Sequence, residues 1–315
     1  MDYRKLIKFG NSSHIVSLPT SWLKQNKLKK GDLIYFEENG NGELVLSPEL
    51  KKEEKEEKEI IIDITNKDND EIRREIHSAY INNFNTINIS GKYMNNKELD
   101  IRKIVSNLMA LEIIEQSENR ITARDFLDID KISIENLIRK IDILIRSMLT
   151  DYKTVTGKEK FESIYRRDYN INKLTFLVYR AIKYSINRPG MLKTYNIDYW
   201  KLMNYWQLVD RLERIGDEVK RIAKYLKDIR LNNKEFKKLI DLCARVENFY
   251  VGVMNAYHKN DVTLLYKTLR LKDDLLKDCD NYFDENKRKD LVPNIIEKLK
   301  DTIDHTRTIG RLIYN

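Results

Sequence analysis

The chain is 315 residues long, more than one ordinary core organises, so two or three domains are expected. Hydrophobic residues make up 41% and charged residues 34%, with a formal charge of +8, and 10 Gly with only 4 Pro favour long helices over tight turns. Two cysteines, Cys243 and Cys279, exclude a disulfide framework; no apolar run approaches the roughly 18 residues of a membrane span; and MDYRKLIKFG lacks the apolar stretch of a secretion signal. The expectation is a cytoplasmic protein with no membrane insertion and no structural zinc.

Residues 1–48 read as short strands. YRKLIKF is followed by the turn Gly10-Asn11-Ser12-Ser13 and the strand HIVSL, which Pro19 stops. Thr20 is placed to cap a short helix running to Lys27. Gly31-Asp32 turns into DLIYFEE, Asn39-Gly40-Asn41-Gly42 is a strong hairpin signal, and ELVLS returns. LIYF is apolar on both faces. A segment this short, without a disulfide or metal, cannot bury two faces alone, so an intertwined homodimer is inferred. Charge is uneven: residues 1–30 carry seven basic side chains and one acid, residues 31–60 four lysines and ten acids. The basic stretch suggests an anionic partner, or else an ordinary lysine-rich surface.

Residues 49–58, ELKKEEKEEK, form a charge-dense linker. Residues 59–130 read as a small α/β domain: the strand EIIIDI, an amphipathic helix from Asn69 to about Asn83, the strand NTINIS ended by Gly91, a helix near 97–110, and a hairpin in LEIIEQSENRITARDF with Ser117-Glu118-Asn119 at its tip. The βαβ crossover implies a parallel strand pair. No glycine-rich phosphate loop follows a strand, which argues against a nucleotide site of that type. Residues 131–315 read as helical throughout, with helices near 133–149, 158–187, 196–229, 233–257, 261–284 and 288–312, consistent with two three-helix bundles. Apolar residues recur at helical spacing, as in Leu208, Leu212, Ile215, Val219, Ile222 and Leu226. A faint repeat at an offset of 87 aligns Leu212 with Leu299, Asp217 with Asp304 and Ile222 with Ile309.

Asp210, Glu213 and Asp217 fall on one helix face, where a hard cation would offset their mutual repulsion. Asp168, in YRRDYNINKL, is a candidate contributor from the preceding helix. The other reading is a solvated face laced by Asp210–Arg214, Arg214–Glu218 and Asp217–Arg221 pairs. Gly216 permits close helix approach, makes room for a bound cluster, or is incidental. Tyr199, Trp200, Tyr205 and Trp206 read as core anchors. Arg4, Lys5 and Lys8, with Asn11, Ser12 and Ser13, can present charge and short hydrogen-bonding groups to DNA, or serve as a lysine-protected edge. No acid–base pair or nucleophile is assembled, so an enzyme is not expected.

LIKFGNSSHIVSLPTSWLKQNKLKKGDLIYFEENGNGELVLSP resembles the AbrB/SpoVT/MazE swapped-hairpin DNA-binding domain. The resemblance implies an interleaved dimer with DNA contact from the basic first strand and the following turn. LVDRLERIGDEVKRIAKYL, residues 208–226, resembles the helix signature of the PhoU phosphate-uptake regulators. SENRITARDFLDIDKISIENLIRKIDILIRSMLTD is similar to the segment entering the bundle in archaeal PhoU-like proteins that carry an AbrB-type domain. In the PhoU family the repeated E/DxxxD motifs bind metal clusters, and Glu213 and Asp217 match one. In the second repeat Lys300 replaces the first acid ahead of Asp304, and Asp168 is followed by Asn172, so the metal set is thinned. The resemblance implies a transcriptional regulator of phosphate homeostasis, with iron, manganese, magnesium or zinc as possible ions. The alternative is an adaptor that docks on a phosphate-transporter ATPase or on a signalling protein such as a histidine kinase, its N-terminal domain serving only to dimerise.

Overall fold

A computed structural model describes residues 3–11, 13–38, 42–49, 57–92, 94–154, 158–188 and 197–313. The chain divides into two compact units, Met1–Glu56 and Glu57–Asn315.

In the first unit β1 (Ile7–Phe9) pairs antiparallel with β2 (Ser13–Ile15), Lys8 lying opposite His14. Both strands are shorter than expected. Gly10, at φ +67°, reverses the chain directly after Phe9, and the ladder has only three facing pairs. Helix α1 (Thr20–Gln25) follows Pro19, which occupies the cap position in extended backbone without a side-chain bond. Thr20 is thus the first helical residue and not the cap; proline's fixed φ takes the position instead. The helix ends at Asn26, before Lys27 turns at φ +55°. β3 (Tyr35–Glu38) and β4 (Leu44–Ser47) pair antiparallel, Tyr35 opposite Ser47 and Glu38 opposite Leu44. Residues 39–41 of the expected Asn-Gly turn lie outside the described residues.

Leu6, Ile7, Phe9, Leu33, Phe36 and Leu44 are all more than half exposed, and Ser47 alone is buried among the described residues of this unit. The strands therefore form without burying the apolar faces that favour them.

The second unit begins with β5 (Glu59–Asp63), α2 (Asn69–Ile81), β6 (Thr86–Ser90), α3 (Met94–Ser106), β7 (Leu111–Ser117) and β8 (Arg120–Asp125), in a sheet of order β5-β6-β8-β7. Glu57, at the end of the charged linker, already belongs here through an ion pair to Arg124 at 2.8 Å. β5 and β6 are parallel across the α2 crossover, and the other pairs are antiparallel. Asp68 caps α2 in a reciprocal bond with Glu71, which closes two of the free N–H groups at the helix start. α3 starts and stops earlier than the 97–110 expected, because the chain turns through Ala110 at φ +59° to enter β7. Ile62, Ile72, Ile76, Ile87, Ile89 and Ile121 form the core between sheet and helices.

The helical part contains α4 (Ile134–Asp151), α5 (Lys158–Ile186), α6 (Tyr199–Asp228), α7 (Asn233–Lys259), α8 (Val262–Leu269), α9 (Leu271–Asn286) and α10 (Val292–Arg311). Side-chain caps from Ser133, Asp198, Asn232 and Asp261 open α4, α6, α7 and α8. The stretch expected as one helix over 261–284 is two, meeting at Arg270. α8 lies so close to α7 that a Cβ on Gly252 would sit 2.7 Å from Thr268 Cγ2. α4, α5 and α6 pack together, as do α7, α9 and α10, and α6 runs against α10. The two sets share one continuous core. The repeat partners Leu212 and Leu299, and Ile222 and Ile309, are buried in that core, which explains why the repeat is visible as an apolar pattern.

Tyr205 is buried and Trp206 stacks on Tyr179 at 4.1 Å, but Tyr199 and Trp200, expected as core anchors, are 52% and 57% exposed. They occupy the first turn of α6, ahead of its buried stripe at Leu202. Among the described residues, no helix is long and apolar enough to cross a membrane.

Candidate functional site

The basic N-terminal segment is exposed along its described length. Arg4 and Lys5 precede β1, Lys8 lies within it, Asn11 sits in the turn and Ser13 opens β2; Ser12 lies outside the described residues. Lys8 and His14 are directly opposed across the ladder, so both project from the same face.

A second candidate lies between α5 and α6. Gly216 lets these helices approach: a Cβ there would be 3.1 Å from Ile171 Cδ1 and 3.9 Å from Asp168 Oδ1. The close contact brings Asp168, 4% exposed, up to the acidic face of α6. The Lys220 Nζ donates to Asp168 Oδ2 and Asp217 Oδ1, at 2.6 Å each. Burial works against the lysine's charge, but the two carboxylate bonds outweigh it and raise its pKa. Arg214 takes Asp210 at 3.1 Å and Arg221 takes Asp217 at 3.4 Å, as the local spacing implied. The Arg214–Glu218 pair does not form. Glu218 turns inward, is buried, and meets Arg221 at 2.9 Å and Lys298 of α10 at 3.5 Å.

This arrangement does not fit a metal ion as it stands. The space between Asp168 and Asp217 already holds an ammonium, and among the described residues no group of three or more His, Cys, Asp or Glu side chains is gathered to ligate one. Asp304 is on α10, exposed and paired with Arg307 at 3.1 Å, and it joins no such group. Glu213 is different from its neighbours. Half-buried, it has no hydrogen bond or ion pair among the described residues. Burial, reinforced by Asp217, pushes its carboxyl up to about 7.

Glu213 opens onto a cavity of about 420 Å³ between the α/β part and the helical part. From α2 come Arg73 and His77, and from the end of α3 comes Asn107. Along α5 the wall alternates rings, Tyr169, Phe176 and Tyr179, with the polar Asn172 and Thr175. His77 packs on Phe176 at 4.3 Å between ring centroids, and burial, with help from Arg73, pushes its pKa down to about 4. The His77 Nε2, Asn172 Oδ1 and Thr175 Oγ1 are buried without a hydrogen-bond partner. These residues carry no motif, and sequence reasoning missed them, apart from Asn172, which marked a departure from an acidic pattern.

A buried ion pair also joins the α/β part to α5. Arg180 of α5 is buried and pairs with Asp125 of β8 at 2.5 Å. Its Nε donates to Asn83 Oδ1 at 3.2 Å, and its guanidinium lies 4.5 Å from the Tyr80 ring centroid. A further polar cluster links α4 to α7, where the buried Asp142 accepts from Arg146 at 2.9 Å and Tyr250 at 2.8 Å and lies 2.9 Å from His258 Nε2. Burial opposes its charge, but these bonds hold its pKa below the usual carboxylate value.

Residues 7–58 match the family model of Antidote-toxin recognition MazE, bacterial antitoxin, and residues 138–226 match the PhoU domain model. Among solved structures, PhoU from Pseudomonas aeruginosa is similar at 16% identity and a TM-score of 0.48, over 57% of this chain and 93% of that one. Among curated proteins, Vinckepain-1 of Plasmodium vinckei is 25% identical over 195 residues, 58% of this chain; the match spans 38% of that protein's length.

Proposed function

We propose that this chain, which joins a MazE-like domain to a PhoU domain, is a homodimeric DNA-binding transcriptional regulator of phosphate uptake. It acts in the cytoplasm and binds without catalysing a reaction. The observation that carries the reading is the presence in one chain of both family matches, the first beginning in an exposed basic hairpin. Dimerisation is supported by the apolar side chains that the first unit leaves in solvent, since six large apolar groups more than half exposed within 48 residues call for a covering surface. A second copy supplies one of matching character. Arg4, Lys5 and Lys8 would then neutralise DNA phosphates from both protomers, and Asn11 to Ser13 would lie nearest the bases.

The test is chromatin immunoprecipitation of the full chain from cells with and without phosphate. Enrichment upstream of phosphate-transporter genes, changing with phosphate supply, is expected. Even coverage of the genome in both conditions would contradict the reading. A second reading, an adaptor to a phosphate-transporter ATPase or signalling protein, is favoured by one feature: Tyr199, Trp200 and Met203 are exposed together at the start of α6. Crosslinking that recovers such a partner through this patch, without DNA enrichment, would support it.

A further inference from the structure

The cavity at the junction of the α/β and helical parts has the properties of a ligand site. At about 420 Å³ it lies within the size range of small-molecule pockets. Three of its lining residues, His77, Asn172 and Thr175, bury a polar atom with no partner, and Thr175 is only 4% exposed. Most buried polar groups are satisfied, so three unsatisfied ones around a single cavity ask for an explanation. A ligand that bonds to them supplies it.

The chemistry of the lining narrows the occupant. The rings of Tyr169, Phe176, Tyr179 and His77 contribute to the wall, and three of them are braced, Tyr179 by stacking on Trp206 and His77 and Phe176 by each other. Such a wall suits a flat aromatic body. Glu213, without a partner among the described residues, and Asn172 Oδ1 are acceptors that call for a donor such as an amino group. Thr175 can donate to a ring nitrogen. Among the described residues that line the cavity, Arg73 is the one permanent cation; it is exposed and shares its charge with Asp70 at 2.8 Å. Free phosphate fits poorly, because it would meet that single cation with Glu213 unneutralised.

We propose that this cavity binds a nucleoside or nucleoside monophosphate whose base carries an exocyclic amino group, the base lying among the rings and bonding to Asn172, Thr175 and Glu213, with Arg73 toward the phosphate. No glycine-rich loop is required, since the base and not a polyphosphate is held. The ligand touches α2 on one wall and α5 and α6 on the other, so occupancy couples the α/β part to the helical part. The proposal does not depend on the DNA-binding reading, because it is measured without DNA.

The experiment is isothermal titration of the full chain with adenosine, AMP, CMP, GMP and UMP, alongside thermal melts. At least one amino-bearing compound is expected to bind saturably and to raise the melting temperature, with UMP, which lacks the amine, at least tenfold weaker. Thr175→Val and Glu213→Gln should each weaken that binding about tenfold or more while keeping the far-ultraviolet circular dichroism of the wild type. Thr175→Val should also melt at or above the wild-type temperature without ligand, because it removes an unsatisfied hydroxyl from the interior. Arg73→Ala should reduce AMP affinity toward that of adenosine. Absence of saturable binding by every compound up to millimolar concentration would overturn the proposal. So would binding unaffected by both Thr175→Val and Glu213→Gln, or UMP binding as tightly as the amino-bearing compounds.

Discussion

Replacing Arg180 by Met tests how the α/β part is joined to α5. Arg180 and Asp125 are each 2% exposed at the side chain, and their 2.5 Å pair is supported by Asn83 and Tyr80. Methionine keeps the packing volume but leaves the Asp125 carboxylate, among the described residues, with only the Leu127 N–H as a donor, at 3.1 Å. Breaking a buried pair from one side costs about 3–5 kcal/mol, which corresponds to a melting drop of roughly 6–20 °C in a unit of this size. Burial already raises the Asp125 pKa against the pull of Arg180. Losing Arg180 raises it further. A carboxyl with a raised folded-state pKa is most stabilising when protonated, and that contribution is lost as pH rises through the folded pKa. The penalty for Arg180→Met should therefore be larger at pH 8 than at pH 5. Arg180→Met with Asp125→Leu should recover most of the loss, since an apolar pair has no charge to strand. Urea unfolding followed by circular dichroism at both pH values, with Asp125→Leu alone as the fourth corner, completes the cycle. A single-variant cost under about 1 kcal/mol, or a double variant no more stable than Arg180→Met, would refute the reasoning.

Glu213→Gln should stabilise the chain by about 1–2 kcal/mol at pH 8, after discounting the shift for partial exposure, and give nothing at pH 4.5. Burial holds the folded-state pKa at about 7 against the ordinary 4.5, so native Glu213 binds more protons than the unfolded chain across that window, and wild-type stability falls as pH rises through it. Chemical denaturation across that range checks it, and a flat difference between the two proteins would count against the buried carboxyl. Arg4→Ala with Lys8→Ala should reduce the slope of log affinity against log salt for DNA by about 3–4 in a dimer, from four lost phosphate contacts; an unchanged slope would remove these residues from the interface. Lys220→Met removes the ammonium between Asp168 and Asp217 and leaves Asp217 only its Arg221 pair, so manganese retained after dialysis should rise from well below one ion per chain toward one. Equal metal content in wild type and variant would show that Lys220 does not keep cations out.

The elements written in local chemistry were legible in the sequence. The isoleucine-rich strands β5 and β6, the helix opening at Asn69, the Ser133 cap and the apolar stripe from Leu208 to Leu226 all follow from spacing, and the structure has each of them. Strand lengths in the first unit were overread, because apolar residues there do not face a core within the chain. The division at Arg270 was missed because the helical periodicity runs through it. At the α5–α6 acids, the i,i+4 pairs of Asp210 and Asp217 were readable, but Lys220 reaches Asp168 across 52 positions and only the Gly216 approach reveals it. The cavity was invisible for the same reason: His77 and Thr175 are unremarkable in sequence, and only the packing of α2 on α5 makes them neighbours. Arg180 likewise reads as one basic residue among many until Asp125 is placed beside it.

The central claim is that this chain reads DNA through its first unit. Fluorescence anisotropy should compare the full chain with residues 57–315, which form a compact unit of their own. Both are titrated against labelled DNA from upstream of the host's phosphate-transporter genes and against scrambled DNA, at several salt concentrations. The account predicts binding by the full chain alone, tighter on the upstream DNA, with affinity falling steeply as salt rises. Equal affinity for both DNAs, or binding retained by residues 57–315, would contradict it.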